Sequence, residues 1–341
     1  MVLTLTSCLS ELLPTTVEKE PDVVQIENDI MTVYEEISYG CVGIYATSNN
    51  GASMGSGVIY KENNGTYYVV TNNHVIDKMT EFKIYRGGSK YYRASLVGTD
   101  PHNDIAVLTF SLDLVGGDEV YVHDIFNYEE EIVKQGQTVL AIGCPLGLEN
   151  YNSLSTGVVS RVDKSQIQTN AEINPGNSGG GLFNVAGRLI GINTEKKAYT
   201  TATNTDGSTA QVPVEGIAFA ITLSVVKKSI SDIERYGNNV ERPKLGITVT
   251  AVNRYISKEE YVAKLPNSSD EGILVVDAGT GSAATAGIKT GDVVLSMNDQ
   301  TVNNLTDLSY IMSLVTKNEV VKIIVYRKTL GETLEFSVTL S

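Results

Sequence analysis

The sequence predicts a mainly β protein: a barrel or sandwich of short strands, then a second β-rich unit. Three observations predict it. Short β-branched runs separated by Gly and Asn turns recur from about Val42 onward, which is the texture of all-β domains. One strongly helix-periodic segment, Leu223 to Glu234, stands between that region and a further strand-rich stretch from Lys244 to Ser341. The length of 341 residues and the 42% apolar content suffice for two or three domains with cores of their own.

The strands are predicted in order at Val42–Tyr45, Gly57–Tyr60, Tyr67–Val70, Ile105–Leu108, Val139–Ile142, Leu189–Ile192 and Ile217–Ile221. Asn63-Asn64-Gly65 lies between two of them and is a hairpin signal. Ala198 to Val214 is rich in Thr, Gly, Asn and Ser and reads as a long mobile loop. In the helical segment Val226, Ile230 and Ile233 share one face, and Gly237 supplies a stop. Asn238 to Pro243 reads as a short polar linker. The last unit carries a helix after Thr306, with Leu308, Ile311, Met312 and Val315 on its apolar side.

Composition excludes several classes. A net charge of -14 argues against nucleic acid, because phosphate binding needs a basic surface. No run approaches the roughly 18 apolar residues that span a bilayer. Cys8, Cys41 and Cys144 form no disulfide framework, and with His74, His102 and His123 they form no ligand cluster, so neither a metal nor another cofactor is expected. Leu5-Thr6-Ser7-Cys8 resembles a bacterial lipobox, in which the cysteine is lipidated. The basic start and apolar core of a signal peptide are missing before it, so either the start is truncated or the match is chance. Residues 1–28 read as a flexible acidic tether.

The chemistry concentrates at Asn174-Pro175-Gly176-Asn177-Ser178-Gly179-Gly180. A serine hydroxyl becomes a nucleophile when a base takes its proton and donors stabilise the oxyanion. Glycines on both sides allow successive N–H groups to turn toward one point. The same residues also make an ordinary surface turn, so the base must be found elsewhere. His74, in Thr71-Asn72-Asn73-His74-Val75-Ile76, follows an apolar strand. Asp104, in Asn103-Asp104-Ile105-Ala106-Val107-Leu108, precedes one. The order His, Asp, Ser is that of chymotrypsin-type barrels.

These segments, with Ala141-Ile142-Gly143-Cys144-Pro145-Leu146-Gly147, resemble the HtrA/Deg serine proteases from about Val42 to the C-terminus. The resemblance implies a chymotrypsin/trypsin-like double β-barrel (residues 29–237), a linker (238–243) and an α+β PDZ domain (244–341). It implies His74 as general base, Asp104 as its orienter and Ser178 as nucleophile, with Gly176, Asn177 and Ser178 at the oxyanion hole. It also implies a pocket lined by Ile192, Ile217 and Ala218 that takes small aliphatic side chains. Four residues depart from the family pattern: Cys144, Asn170, Glu172 and Gly181. Glu172 stands six positions before Ser178, where trypsin-like proteases carry the carboxylate that selects basic side chains, so a preference for Lys or Arg is a second expectation.

Lys244-Leu245-Gly246-Ile247 and the segment Ala283 to Val294 resemble a PDZ domain of the same type. N–H groups of the loop Lys244 to Ile247 would hold a peptide's terminal carboxylate, and the next strand would pair with the peptide. The implied partners are unfolded polypeptides and C-terminal peptides, in a homotrimer attached through Cys8 to the outer side of a bacterial cytoplasmic membrane. The other reading is a non-catalytic protein that holds misfolded chains through its PDZ domain.

Overall fold

Residues 23–112, 120–127, 132–196, 199–203, 209–213, 215–252 and 272–341 are described by a computed structural model; Cys8 lies outside them. The chain enters through helix α1 (Val23–Ile37). This corrects the expected tether, which ran through residue 28. Apolar residues recur at helical spacing to Ile37, and Ile30, Val33 and Tyr34 pack on the buried core that contains Ile37.

The first barrel is built from β1 (Cys41–Ser48), β2 (Gly51–Asn63), β3 (Thr66–Thr71), β4 (Glu81–Tyr85), β5 (Tyr91–Asp100) and β6 (Ile105–Ser111), with the one-turn helix α2 (Asn73–Ile76) after β3. They hydrogen-bond in the order β5-β4-β1-β2-β3-β6, and a β5–β6 pairing closes the ring. Asn64 and Gly65 both have positive φ, 51° and 78°, so the expected turn joins β2 to β3. Ile44, Ile59, Val69 and Leu108 fill the barrel.

The second barrel closes in the order β10-β11-β14-β9-β8-β7. Its strands are β7 (Thr138–Gly143), β8 (Ser153–Val162), β9 (Gln166–Thr169), β10 (Gly181–Asn184), β11 (Leu189–Lys196) and β14 (Ala218–Thr222). Between β11 and β14 the expected loop is instead a hairpin, β12 (Tyr199–Thr203) and β13 (Thr209–Pro213), paired from Tyr199↔Pro213 to Thr203↔Thr209. Its arms are rich in Thr, Tyr and Val, which favour strands. Helix α3 (Leu223–Tyr236) buries Leu223, Val226, Ile230 and Ile233, and ends at Gly237 with φ 64°.

The segment after α3 is packed rather than a free linker. β15 (Asn238–Asn239) pairs in parallel with β5, and Val240 is buried. The Arg242 side chain is 2% exposed. Its Nε donates to Asp100 Oδ2 at 3.1 Å and its Nη1 to Asp232 Oδ2 at 2.8 Å.

The C-terminal sheet runs β16 (Thr248–Ala251), β17 (Ile273–Asp277), β18 (Asp292–Met297), β20 (Val320–Arg327), β21 (Glu332–Thr339), with β19 (Gln300–Thr301) beside β18. Helices α4 (Ser282–Ala286) and α5 (Leu305–Ser313) accompany it, and the Asn304 side chain caps α5 by accepting from Asp307 N at 3.0 Å. The C-terminal end of α5 and the residues after it touch the first barrel and the segment after α3. Asn103 Nδ2 donates to the Ser313 carbonyl at 3.0 Å, and Arg242 Nη1 to the Val315 carbonyl at 3.1 Å.

Candidate active site

The two barrels bring three separate chain segments together. His74 sits in α2, directly after β3. Its ring Nδ1 lies 2.8 Å from Asp104 Oδ2, and its main-chain N–H donates to Asp104 Oδ1 at 2.9 Å. Asp104 opens β6 with a left-handed backbone, φ 54°, which aspartate tolerates better than most residues. Its carbonyl accepts from Asn73 N at 3.1 Å and Asn72 Nδ2 at 3.0 Å, so the aspartate is gripped from the histidine's own segment.

Thr194 in β11 completes the arrangement. Its Oγ1 donates to Asp104 Oδ2 at 2.9 Å, and its carbonyl accepts the Ser178 hydroxyl at 2.9 Å. No motif pointed to it, because a threonine within a β-strand carries no chemical signal in one sequence.

The turn carrying Ser178 is pinned by its carbonyls. Pro175 O accepts from Leu146 N at 2.7 Å, Gly176 O from Ser56 Oγ at 2.7 Å, Asn177 O from Gly180 N at 2.9 Å and Ser178 O from Ser56 N at 2.8 Å. In a trans peptide the N–H points opposite to its carbonyl. The Gly176 and Ser178 N–H groups therefore point away from these anchors, and neither donates a hydrogen bond among the described residues. The Asn177 N–H, which the sequence placed with them, is spent on Asn174 O at 2.9 Å. Two glycines are required sterically. A Cβ on Gly176 would strike the Cys144 carbonyl oxygen, and one on Gly179 the Ser56 carbonyl oxygen.

Ser56 was likewise invisible in sequence. It is 1% exposed, and its hydroxyl accepts from Cys144 N at 2.9 Å while donating to Gly176 O. It thus staples the first barrel to the second at the serine turn. Burial raises the Cys144 thiol pKa above its ordinary value. Gly181 makes room for a neighbour, since a Cβ there would strike the Phe183 ring.

The four residues expected to line a specificity pocket do not pack in one apolar cluster. Ile192 is buried in the apolar cluster that holds α3, and Ala218 in a separate cluster with Val139 and Ile167. Ile217 is half-buried. Glu172 is exposed, and its carboxylate accepts from Asn174 Nδ2 at 2.8 Å. Ile192 lies opposite Ile221 in the ladder, and strand alternation turns Ala218 and Ala220 to the other face of β14.

His123, outside any helix or strand, is buried between Tyr121 and Phe183, with ring centroids 4.7 and 4.9 Å away. Its Nε2 meets the Ile37 carbonyl at 3.1 Å, and burial lowers its pKa to about 4. It belongs to the core and lies outside the catalytic group.

In the C-terminal domain, Gly246 has φ 72° and its Cα abuts Gly281. The N–H groups of Leu245, Gly246 and Ile247 donate no hydrogen bond among the described residues, whereas Lys244 N donates to Ser341 O at 3.4 Å. β16, which follows this loop, is an edge strand. A groove lined by Asn103, Asp104 and Thr194 on one side and by Ser309 and Ser313 of α5 on the other joins the two domains.

Residues 55–192 match the trypsin-like peptidase domain family, and residues 243–340 match the PDZ domain family. The chain is 36% identical over 301 residues to the serine protease Do-like HtrA of Lactococcus lactis subsp. cremoris, covering 83% of this chain and 70% of that protein. It is 35% identical over 265 residues to the periplasmic serine endoprotease DegP of Escherichia coli K12, covering 75% of this chain and 50% of that one. Among solved structures, the HtrA-type protease AlgW with tripeptide superposes with a TM-score of 0.67 at 26% identity, covering 92% of this chain and 96% of the other. The serine endoprotease from Yersinia pestis does so with a TM-score of 0.63 at 27% identity, covering 92% and 97%.

Proposed function

The chain belongs to the HtrA/Deg family of serine endoproteases, and from that premise we propose that it cleaves unfolded extracytoplasmic polypeptides, without ATP, through His74, Asp104 and Ser178. The observation that carries this reading is the continuous set of contacts from His74 Nδ1 to Asp104, from Asp104 to Thr194, and from Thr194 to the Ser178 hydroxyl.

The Ser178 hydroxyl leaves the Thr194 carbonyl and turns toward His74, which takes its proton as Oγ attacks the peptide carbonyl carbon. Asp104 holds the imidazole through Nδ1 and offsets the charge it gains. The oxyanion is met by the N–H groups of Gly176 and Ser178. As the intermediate collapses, His74 returns the proton to the leaving amine and an acyl-enzyme remains. Water, deprotonated by the same histidine, hydrolyses that ester and restores Ser178.

The PDZ domain recruits substrates by their C-termini. The unspent N–H groups of Leu245 to Ile247 and the β16 edge support this reading. The bond from Asn103, the residue before Asp104, to Ser313 supports a communication of peptide binding to the triad. Such coupling requires the peptide to bind two states with different affinity. Relatives named periplasmic support an extracytoplasmic location. Homotrimeric assembly follows from the family resemblance, and lipid attachment at Cys8 from the lipobox-like Leu5 to Cys8. Sedimentation analysis and mass spectrometry of a membrane fraction test these two.

Casein digestion tests the central reading. Wild type is expected to hydrolyse it, and Ser178→Ala or His74→Ala to lose roughly 10⁶ in kcat. No hydrolysis by wild type would leave a PDZ-based holding protein instead, and equal hydrolysis by Ser178→Ala would mean that the nucleophile is misassigned.

A further inference from the structure

The turn Cys144 to Gly147 closes through Gly147 N on the Cys144 carbonyl at 3.3 Å and places a residue with a Cβ at its left-handed third position. Leu146 has φ 62°, a left-handed backbone that costs a residue with a Cβ about a factor of ten in population. Its side chain does not recover this cost by burial, since Leu146 is 70% exposed. A conformation of this kind persists where its surroundings over-determine it.

Two of its contacts reach the serine turn. Leu146 N donates to Pro175 O at 2.7 Å, a short bond that holds this carbonyl away from Ser178. Cys144 O lies against the Cα of Gly176 so closely that no Cβ fits there. Cys144 N is anchored on Ser56 Oγ at 2.9 Å, and Pro145 O accepts from Asn150 Nδ2 at 2.9 Å. The central peptide, ending at the Leu146 N–H, is the one hydrogen-bonded to the Pro175–Gly176 peptide. That peptide must point its carbonyl at Leu146 for the Gly176 N–H to face the opposite way.

We propose that Leu146 is a positioning residue of the oxyanion hole, acting through its main-chain N–H, and that its left-handed backbone sets how often the hole is assembled. When Leu146 relaxes to negative φ, its N–H turns off Pro175 O and the Pro175–Gly176 peptide is free to rotate. The Gly176 donor is then lost while the substrate-binding surface stays in place. The inference rests on the reading of Gly176 and Ser178 as the oxyanion hole.

The test is a series at one position: Leu146→Gly, Leu146→Asn and Leu146→Val, assayed for kcat and KM on a peptide substrate. Binding of a peptide boronic acid, which forms a tetrahedral adduct with the nucleophilic serine, is measured in parallel. Left-handed propensity falls from Gly to Asn to Leu to Val. The expected order of kcat is the same, with Leu146→Gly several-fold above wild type and Leu146→Val about tenfold below it. KM stays nearly constant and boronate affinity follows kcat. An order that instead follows side-chain apolarity, with Leu146→Gly and Leu146→Asn raising KM, overturns the proposal, because Leu146 would then be a substrate contact. A flat series overturns it too. Should Leu146→Val fail to fold, as judged by its melting curve, Leu146→Gly and Leu146→Asn decide alone, and a fall in their kcat rejects the idea. Ser178→Ala run alongside separates the two readings: if it still cleaves, the site itself is misassigned, whatever the Leu146 series shows.

Discussion

The Ser178 hydroxyl donates to the main-chain carbonyl of Thr194 at 2.9 Å. The same threonine uses its side-chain hydroxyl to hold Asp104 Oδ2 at 2.9 Å. One residue of β11 thus holds the serine hydroxyl and the aspartate that bonds His74. The proposed mechanism breaks the first contact and keeps the second.

Thr194→Val keeps the shape and the carbonyl but removes the donor to Asp104. A hydrogen bond to a charged group contributes roughly 1.5–3 kcal/mol. The expected outcome is a kcat lower by about ten- to a hundredfold with KM little changed, and recovery in Thr194→Ser. Steady-state kinetics on a peptide substrate checks it, and an unchanged kcat in Thr194→Val would remove the orienting role.

Ser56→Ala strips one hydroxyl that serves two buried main-chain groups, Cys144 N and Gly176 O. Each group left without a partner costs roughly 1–3 kcal/mol. The melting temperature is expected to fall, and kcat with it, while affinity for a C-terminal peptide stays at the wild-type value. A calorimetric scan and a fluorescent-peptide titration measure the two sides of that expectation.

Glu172 is exposed and occupied by Asn174, which is a poor position for a carboxylate that would anchor a lysine or arginine. Fragments of a digested unfolded protein are expected to show no enrichment of basic residues before the cut. Glu172→Gln should leave that profile unchanged. A basic preference that Glu172→Gln abolishes would reinstate the trypsin-like role.

Arg242 lies between Asp100, which is fully buried, and Asp232. Arg242→Ala leaves the Asp100 charge without its cation, at roughly 3–5 kcal/mol. Lys228 still pairs with Asp232 in that variant, so the loss centres on the β5 end. Denaturant unfolding is expected to show this loss, with Arg242→Lys recovering only part because one ammonium cannot reproduce the guanidinium fork.

His123 makes stability depend on acid. Its folded pKa, about 4, lies below the ordinary 6.5, because burial disfavours the charged ring. The unfolded chain therefore binds the proton more readily, and stability rises with pH across this interval. The contribution is complete above about pH 6.5 and is lost as pH falls toward 4, in total roughly 3 kcal/mol. Urea midpoints at pH 7 and pH 5 should differ for wild type, and the difference should shrink in His123→Phe. Equal differences in both proteins would show that other groups govern the acid response.

Much of the fold and part of the site were legible before any coordinates. The strand runs around Val42, Val69, Leu108 and Ile142 all lie in strands, and Leu223 to Glu234 lies in α3. These are local signals: alternation, β-branching and a glycine stop act over a few residues. His74, Asp104 and Ser178 stand out in the sequence because each lies in a compact motif beside a strand, and the fold links them through Thr194. The helix over Val23–Ile37 and the hairpin around Tyr199 and Pro213 were misread, since polar composition concealed short periodic segments.

The class of chemistry is legible in contiguous residues: a serine in a glycine turn, a histidine after a strand and an aspartate before one. Which donors are spent and which remain depends on the folded chain. Ser56 and Gly176 stand 120 positions apart, and Asn103 and Ser313 stand 210 apart. The Asn177 N–H is spent inside its own turn on Asn174 O, whereas the Pro175 and Gly176 carbonyls are held by Leu146 and Ser56, partners that only the folded chain brings to them. A hydrogen-bonding group has few bonds to give, and which partner takes them is settled by three-dimensional neighbours that composition and spacing do not encode.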